Sequence, residues 1–382
     1  MSRYRVILAS GLLLVSGTGV CAQDVGRVTG DVSVETFSWK DDLGDAGEQT
    51  VALLKAAAGY GDFTFGLSTG WVKAEARSSV ESLRGSLETP LDTVLSANWT
   101  RGLGPASRLK VSLDADVSLP TGTDQLAGTE KNLVFDPLLA RFDRYGEGTN
   151  VSAGAFLAYR AADAWTLGLG VKATQTGSYE PDGDAPDVEI DPGDTVAIFA
   201  RASWARHGAF ASVGLQGSVQ NAATRNDVDL FKRAPSVEAS LAGGFYLPWS
   251  LRTDLYASWS TRGRDDRRDD LTGTFETETN RSSGDVTSVT SRFSRPMTDG
   301  LVGYLTADWV EVSDNAFDDA SFEYLPAREL TRLGLGVRQS LAEGMTLDAA
   351  VQRQWWEDRG SALLTPLSAD GWVGRLNVSK SW

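Results

Sequence analysis

The sequence predicts an all-β chain closed into one antiparallel up-and-down barrel of about sixteen strands (14–18). Three observations predict it. Apolar and polar residues alternate strictly in stretch after stretch, the connections between stretches alternate short and long, and aromatic residues gather at stretch ends. Past the N-terminus no 3.6-residue periodicity is evident and no apolar run reaches the ~18 residues of a spanning helix.

Taken in order, the chain opens with Arg3 and Arg5, an apolar stretch from Val6 to Val15, and the small-residue end Val20-Cys21-Ala22. This pattern reads as a secretory signal peptide over residues 1–22, leaving 23–382 as the barrel. Cleavage after Ala22 removes the single cysteine. Lipid attachment at Cys21 is the alternative, which Gly19 and Val20 fit poorly.

The sixteen alternating segments lie near 28–38, 50–59, 62–72, 93–101, 108–119, 150–160, 164–176, 195–205, 208–219, 235–246, 250–261, 286–294, 300–310, 330–340, 344–356 and 372–382. The clearest runs from Leu109 to Leu119, with Leu, Val, Leu, Ala, Val and Leu on one face and Lys, Ser, Asp, Asp and Ser on the other. Such a strand cannot be buried on both sides. Seven connections are short turns (59–62, 102–107, 160–164, 205–208, 247–249, 295–300, 341–344). They alternate with eight longer loops at 39–49, 73–92, 120–149, 177–194, 220–234, 262–285, 311–329 and 357–371.

One sheet end therefore differs from the other, as in a transmembrane barrel with short periplasmic turns and long extracellular loops. Strands of ~9–11 residues suffice to cross, and in lipid a strand-based chain must close to pair its backbone. Trp71, Trp99, Trp165, Trp204, Trp249, Trp259, Trp309, Trp355, Trp372 and Trp382 fall in or beside proposed strand ends, where membrane interfaces collect aromatics.

Composition then separates into environments. The 382 residues are 41% hydrophobic and 23% charged, with a formal charge of −15, a balance that argues against nucleic-acid binding. The eight long loops hold 38 acidic and 17 basic residues, net −21, so the remainder of the mature chain is net +4. Strand charges mostly share parity with polar residues. The inward bases are Lys110, Lys172, Arg201, Arg252, Arg292, Arg332, Arg338 and Arg375; the inward acids are Asp31, Glu35, Asp114, Asp116, Glu238, Asp254, Asp308 and Asp348. A hydrated channel accommodates such a wall, whereas an apolar core does not; ion pairs that plug and brace the barrel are the alternative.

Loop 120–149 carries an apolar middle, Leu133 to Ala140, followed by Arg141, Asp143 and Arg144. An apolar middle needs cover, so the loop is expected to fold into the barrel mouth and narrow it; a surface flap is the alternative.

No enzyme chemistry is found. His207, the one histidine, lies in the short turn 205–208 without positioned partners, and no P-loop, dinucleotide fingerprint or zinc spacing occurs, so no cofactor or metal is expected. The run Asp182, Asp184, Asp187, Glu189, Asp191 has the oxygen chemistry of a Ca²⁺ site without EF-hand spacing, and reads as a solvated loop. The mixed-sign run from Arg262 to Asp270 pairs with itself or meets lipopolysaccharide phosphates.

The C-terminal segment Gly374 to Trp382 alternates and stops on an aromatic residue. It resembles the terminal strand that Gram-negative outer-membrane barrels present to their assembly machinery, with Trp382 as the signal. Lys380 stands where such strands usually carry an apolar residue, and a lysine snorkels there. Leu119-Pro120-Thr121-Gly122 and Asp191-Pro192-Gly193-Asp194 resemble turns of the transporter family named for the MetA pathway of phenol degradation. That resemblance implies uptake of small hydrophobic or aromatic compounds. The expected function is passive diffusion of small solutes across the outer membrane through a polar lumen with an acidic extracellular mouth. A transporter of hydrophobic or aromatic molecules and a structural or adhesive barrel with ligand-binding loops are the alternatives. Expected partners are membrane lipid, lipopolysaccharide, the assembly machinery and a small solute, with a homotrimer left open.

Overall fold

The computed structural model describes residues 26–104, 107–142, 144–146, 148–185, 187–269 and 272–382. The segment read as a signal peptide lies outside the described residues, as do Asp143 and Asp270 of the loop readings.

Sixteen strands form one closed antiparallel barrel: β1 (Val28–Asp41), β2 (Ala46–Tyr60), β3 (Phe63–Arg77), β4 (Thr93–Leu103), β5 (Leu109–Leu119), β6 (Asn150–Ala162), β7 (Trp165–Thr176), β8 (Thr195–Arg206), β9 (Ala209–Gln220), β10 (Ser236–Leu247), β11 (Leu251–Arg262), β12 (Val286–Thr298), β13 (Leu301–Val312), β14 (Arg328–Ser340), β15 (Met345–Asp358) and β16 (Leu367–Ser381). Each pairs with its neighbour in sequence. β16 closes the ring on β1, placing Val32 opposite Val378 and Glu35 opposite Arg375. A closed ladder leaves no unpaired edge, which is the condition for strands to stand in lipid.

All sixteen predicted segments are strands, but those beside the closure are taller. β1 reaches Asp41 and β2 begins at Ala46, so the expected loop 39–49 is the turn 42–45; β16 begins at Leu367, which shortens the loop read as 357–371. The strand Gly85–Pro90 pairs with β3 and extends that wall further. Beyond the barrel, the segments 190–191, 222–225, 228–232, 266–268 and 275–277 form a small second sheet at the long-loop end.

The short turns owe their tightness to residues that enter the left-handed region. His207 and Gly208, with φ of 52° and 78°, join β8 to β9 as a two-residue hairpin. Here the histidine is a turn residue, as its sequence context predicts.

Alternation sorts the two faces. Leu169, Ile198, Leu215, Leu305 and Leu335 stand exposed on the outer wall, an apolar band suited to lipid. Outward aromatics bound it at both ends. Trp71, Trp259, Trp309, Trp355 and Trp372 lie toward the long loops; toward the short turns, Trp165 stands opposite Trp204 and Phe63 opposite Trp99. Trp39 and Trp356, the two tryptophans outside the ten predicted interface positions, face inward instead.

Inside, among the described residues, four large rings cover glycines of neighbouring strands, including Trp39 on Gly47 and Phe210 on Gly244. The side chain of Phe156 (β6) covers Gly170 (β7), and that of Tyr304 (β13) covers Gly336 (β14), each ring occupying the space a Cβ would need. The glycines let aromatic area cover the wall without filling the lumen. Replacing Gly170 with Val is expected to destabilise the barrel by about 1–3 kcal/mol through overpacking, and adding Phe156→Ala is expected to restore most of it. Urea titration read by heat-modifiable gel migration measures both; equal stability of the single variant and the parent contradicts the ring seat.

Candidate functional site

The predicted wall charges share the lumen-facing parity, and they gather in separate clusters rather than one site. On β5 and β7, Lys172 Nζ lies 2.7 Å from Asp116 and 3.8 Å from Asp114. Lys110 is exposed further down the same face of β5. On β11, Arg252 grips Asp254 at 2.8 Å. Across β12 to β15, Asp348 receives Arg338 at 2.8 Å, Arg292 at 3.8 Å and the Tyr304 hydroxyl, while the Arg292 guanidinium lies 3.6 Å from the Tyr304 ring centroid.

The remaining predicted charges are held by neutral partners or by the closure. Asp308 accepts from Gln352 at 2.7 Å, Asp31 accepts from Asn377 at 2.7 Å, and Arg201 donates to Ser212 Oγ at 3.1 Å. Glu238 stands on β10 opposite Gln216 and Ser260. Arg375 pairs with Glu35 at 2.8 Å across the β16–β1 closure, and Arg332 donates to Gln354 at 3.0 Å. Pairing neutralises most of the wall without drying it. The part-exposed pairs, Lys172 with Asp116 and Arg252 with Asp254, contribute only ~0–1 kcal/mol each, so their arrangement matters more for what passes than for stability, whereas Glu35 and Asp348 are buried carboxylates that depend on their arginines.

Loop 120–149 packs into the barrel. Leu133 (0% exposed), Phe135, Ala140 and Tyr145 pack with Val51, Leu53, Val72 and Ala74 of β2 and β3. Leu138 (1% exposed) and Leu139 pack with Val312, Leu330, Trp356 and Ala369 of β13 to β16. Trp39 touches both groups and meets Phe135 edge-on at 4.5 Å. The apolar middle of the loop thus finds its cover on the wall either side of the closure.

Burying a loop obliges its backbone to find partners. Gln49, 0% exposed, supplies three: its Oε1 accepts from the Arg141 and Phe142 amides at 3.0 Å each, and its Nε2 donates to the Phe142 carbonyl at 2.8 Å. Arg332 Nη2 donates to the Leu138 carbonyl at 2.7 Å. Arg141 joins Arg375 on Glu35, and Arg328 pairs with Asp136. Gln49 and Gln354 escaped sequence reasoning because amides on a polar face look like any other wetted residue. The inward apolar residues Phe37, Val51, Leu53 and Val72 did leave a signal, since they break the alternation on the lumen side.

A second loop fastens the first. Lys131 Nζ sits 2.5 Å from Asp182 and 2.8 Å from Asp184, Gln125 donates to Glu180 at 2.6 Å, and the Gly128 amide donates to Asp184 at 3.0 Å. Arg144 reaches the hydroxyl of Tyr179. The cation held by this acidic run is therefore an ammonium group of the chain. Hydrogen bonds from Lys131 push both carboxyls below their usual range, and the two carboxyls push the Lys131 amine up. The Arg262 run pairs partly with itself, Arg262 to Asp265 at 3.3 Å, and partly outward, Arg267 to Glu278 at 2.8 Å.

Among solved structures, the fold is similar to an outer membrane channel from Pseudomonas putida F1 (11% identity, TM-score 0.42), with 94% of this chain and 97% of that one covered. It is also similar to the outer membrane protein opdK from Pseudomonas aeruginosa (12%, 93% and 99% covered, TM-score 0.44) and the outer membrane channel DcaP of Acinetobacter baumannii (13%, 94% and 96% covered, TM-score 0.42). No protein-family profile matches the sequence. No curated protein matches it.

The fastening has a defined pH window. The contribution of Asp182 and Asp184 is complete above their unfolded value of 3.8 and is lost as pH falls through their lowered folded values; that of Lys131 is complete below 10.5 and is lost as pH rises through its raised one. Protection of the Gly128 amide, its exchange relative to the intrinsic rate at the same pH, is thus expected to be constant from pH 5 to 9 and to fall below about pH 3.8. Lys131→Gln is expected to lower that protection throughout; unchanged protection in that variant contradicts the fastening.

Proposed function

We propose that the chain is an outer-membrane channel for passive diffusion of small solutes. The observation that carries this reading is the seat of loop 120–149. Its recorded wall partners stand on β1 to β3 and β13 to β16. The facing inner wall of β4 to β12 keeps Asp114, Asp116, Lys172, Arg201, Glu238, Arg252 and Asp254 available to line a hydrated path. A loop folded inward on one side narrows a sixteen-strand lumen, which would otherwise be a wide aqueous channel. In this reading the long loops face outside the cell, and their excess of acid raises the local cation concentration and repels anions, an effect salt weakens. In this reading selection comes from width and charge.

A specific contact supports a second reading, transport of aromatic small molecules. The lumen-facing rings of Phe156 and Phe199 lie 5.9 Å apart, outside both apolar clusters beneath the loop. Their exposed area is small beside the charged wall, and the polar path remains the better account. Insertion in either reading proceeds through the barrel assembly machinery, with Trp382 as the terminal aromatic that it recognises, and lipopolysaccharide surrounds the long-loop rim.

Planar-bilayer recording tests the channel directly. The wild-type protein is expected to give steady steps with cations preferred, the preference fading as ionic strength rises. Removal of residues 124–146 is expected to increase the unit conductance several-fold. Absence of steps from protein that migrates as a folded barrel overturns the channel reading; unchanged conductance after deletion overturns the constriction.

A further inference from the structure

The outer wall carries charge at both rims, and the two rims differ. Toward the short turns, the charged outward strand positions among the described residues are Arg101 on β4, Arg206 on β8, Arg295 on β12 and Lys380 on β16, all basic. Toward the long loops the outward strand positions carry both signs, with Glu311, Glu329 and Glu357 beside Lys40, Lys73 and Arg353.

The four cations share a local design. Arg101, Arg206 and Arg295 each follow an outward aromatic by two residues (Trp99, Trp204, Phe293), and Lys380 precedes Trp382 by two, its Nζ 5.2 Å from that ring. Two residues along a strand return to the same face, so each cation stands one step along its own strand from a ring. The four strands are evenly spaced around the barrel. No ion pair engages Arg101, Arg206 or Arg295 among the described residues, and all three are exposed. Lys380 has only a 3.7 Å approach to Glu343, itself 83% exposed.

A long basic side chain beside an interfacial aromatic buries its stem and offers its charge at headgroup depth. No outward strand position at that rim is acidic, and the turn acids Asp62, Asp163 and Asp299 form no ion pair with the three arginines among the described residues, so lipid phosphates are the counter-charge available at headgroup depth. We propose that Arg101, Arg206, Arg295 and Lys380 form a ring that binds the phosphodiester headgroups of phospholipids in the leaflet at the short-turn end, with preference for net anionic species such as phosphatidylglycerol. The proposal rests on the membrane-spanning reading and is independent of whether the lumen conducts.

Electron spin resonance of the barrel in phosphatidylcholine bilayers, with trace spin-labelled phosphatidylglycerol or phosphatidylcholine, reads the preference as the ratio of motionally restricted label. The wild type is expected to favour phosphatidylglycerol and to lose the preference as salt rises. Each single change (Arg101→Gln, Arg206→Gln, Arg295→Gln, Lys380→Gln) is expected to lower it at that site by roughly fivefold, and the fourfold variant to abolish it. A wild type without preference, a preference insensitive to salt, or a folded fourfold variant that keeps it overturns the ring. The salt arm needs no variant, so a misfolded mutant leaves the proposal exposed to refutation. A chain that stays out of bilayers altogether overturns the membrane reading itself.

Discussion

Closure of β16 on β1 is the constraint from which the rest of the molecule follows. In lipid each backbone donor and acceptor has to be paired within the protein, and a sixteen-strand sheet meets that demand only when its first and last strands meet. The register of that meeting fixes every parity. Glu35 opposite Arg375 puts both inside, Val32 opposite Val378 puts both outside, and the same division runs strand by strand around the ring. A slip of one residue at the closure would turn ions toward lipid and aliphatic side chains toward water.

Closure also creates the problem that loop 120–149 solves. The walls on either side are tall, and their upper inner faces carry Phe37, Val51, Leu53, Val72, Leu330 and Trp356, apolar groups that would otherwise face water. The loop covers them with Leu133, Leu138 and their neighbours; the buried amide of Gln49 and the guanidinium of Arg332 meet the loop backbone, while Gln354 holds Arg332 and the Ser38 carbonyl of β1. Apolar contact supplies the affinity of the loop for the wall. Gln49 and Arg332 supply its register, since an unpaired buried amide or carbonyl costs ~1–3 kcal/mol.

These features account for what the sequence could and could not convey. Sixteen strands were readable because a wall between water and lipid enforces period two, as Leu109 to Leu119 displays. The heights of β1, β2 and β16 were not, because the added lengths of strand lose the apolar-out pattern: Lys40, Glu48 and Asp370 face outward there while Trp39, Gln49 and Ala369 face inward, and a stretch so composed resembles a loop. The inward charges were readable one by one from parity. Their grouping was not, since Asp348 meets Arg292 and Arg338 through strands 40 or more residues apart in part of the cluster, and only register joins them. The inward course of loop 120–149 was legible from its apolar middle, whereas its fastening by Asp182 and Asp184 was hidden in an acidic run that composition alone makes look solvated.

Glu35 ties the closure, the loop and the lumen charge together. Only 5% exposed, it holds one arginine from the wall, Arg375, and one from the loop, Arg141. A buried carboxylate is tolerable only with such partners, and here one partner arrives with β16 and the other with the loop. The apolar seat has the same dependence: Val51 and Val72 lie on one side of the closure, Leu330, Trp356 and Ala369 on the other, and Trp39 bridges them. Before β16 docks on β1, half of the seat is missing and Arg141 has a carboxylate still facing water. The complete seat of loop 120–149 therefore exists only in the closed barrel, where β1 and β16 bring its two halves and both arginines of Glu35 together.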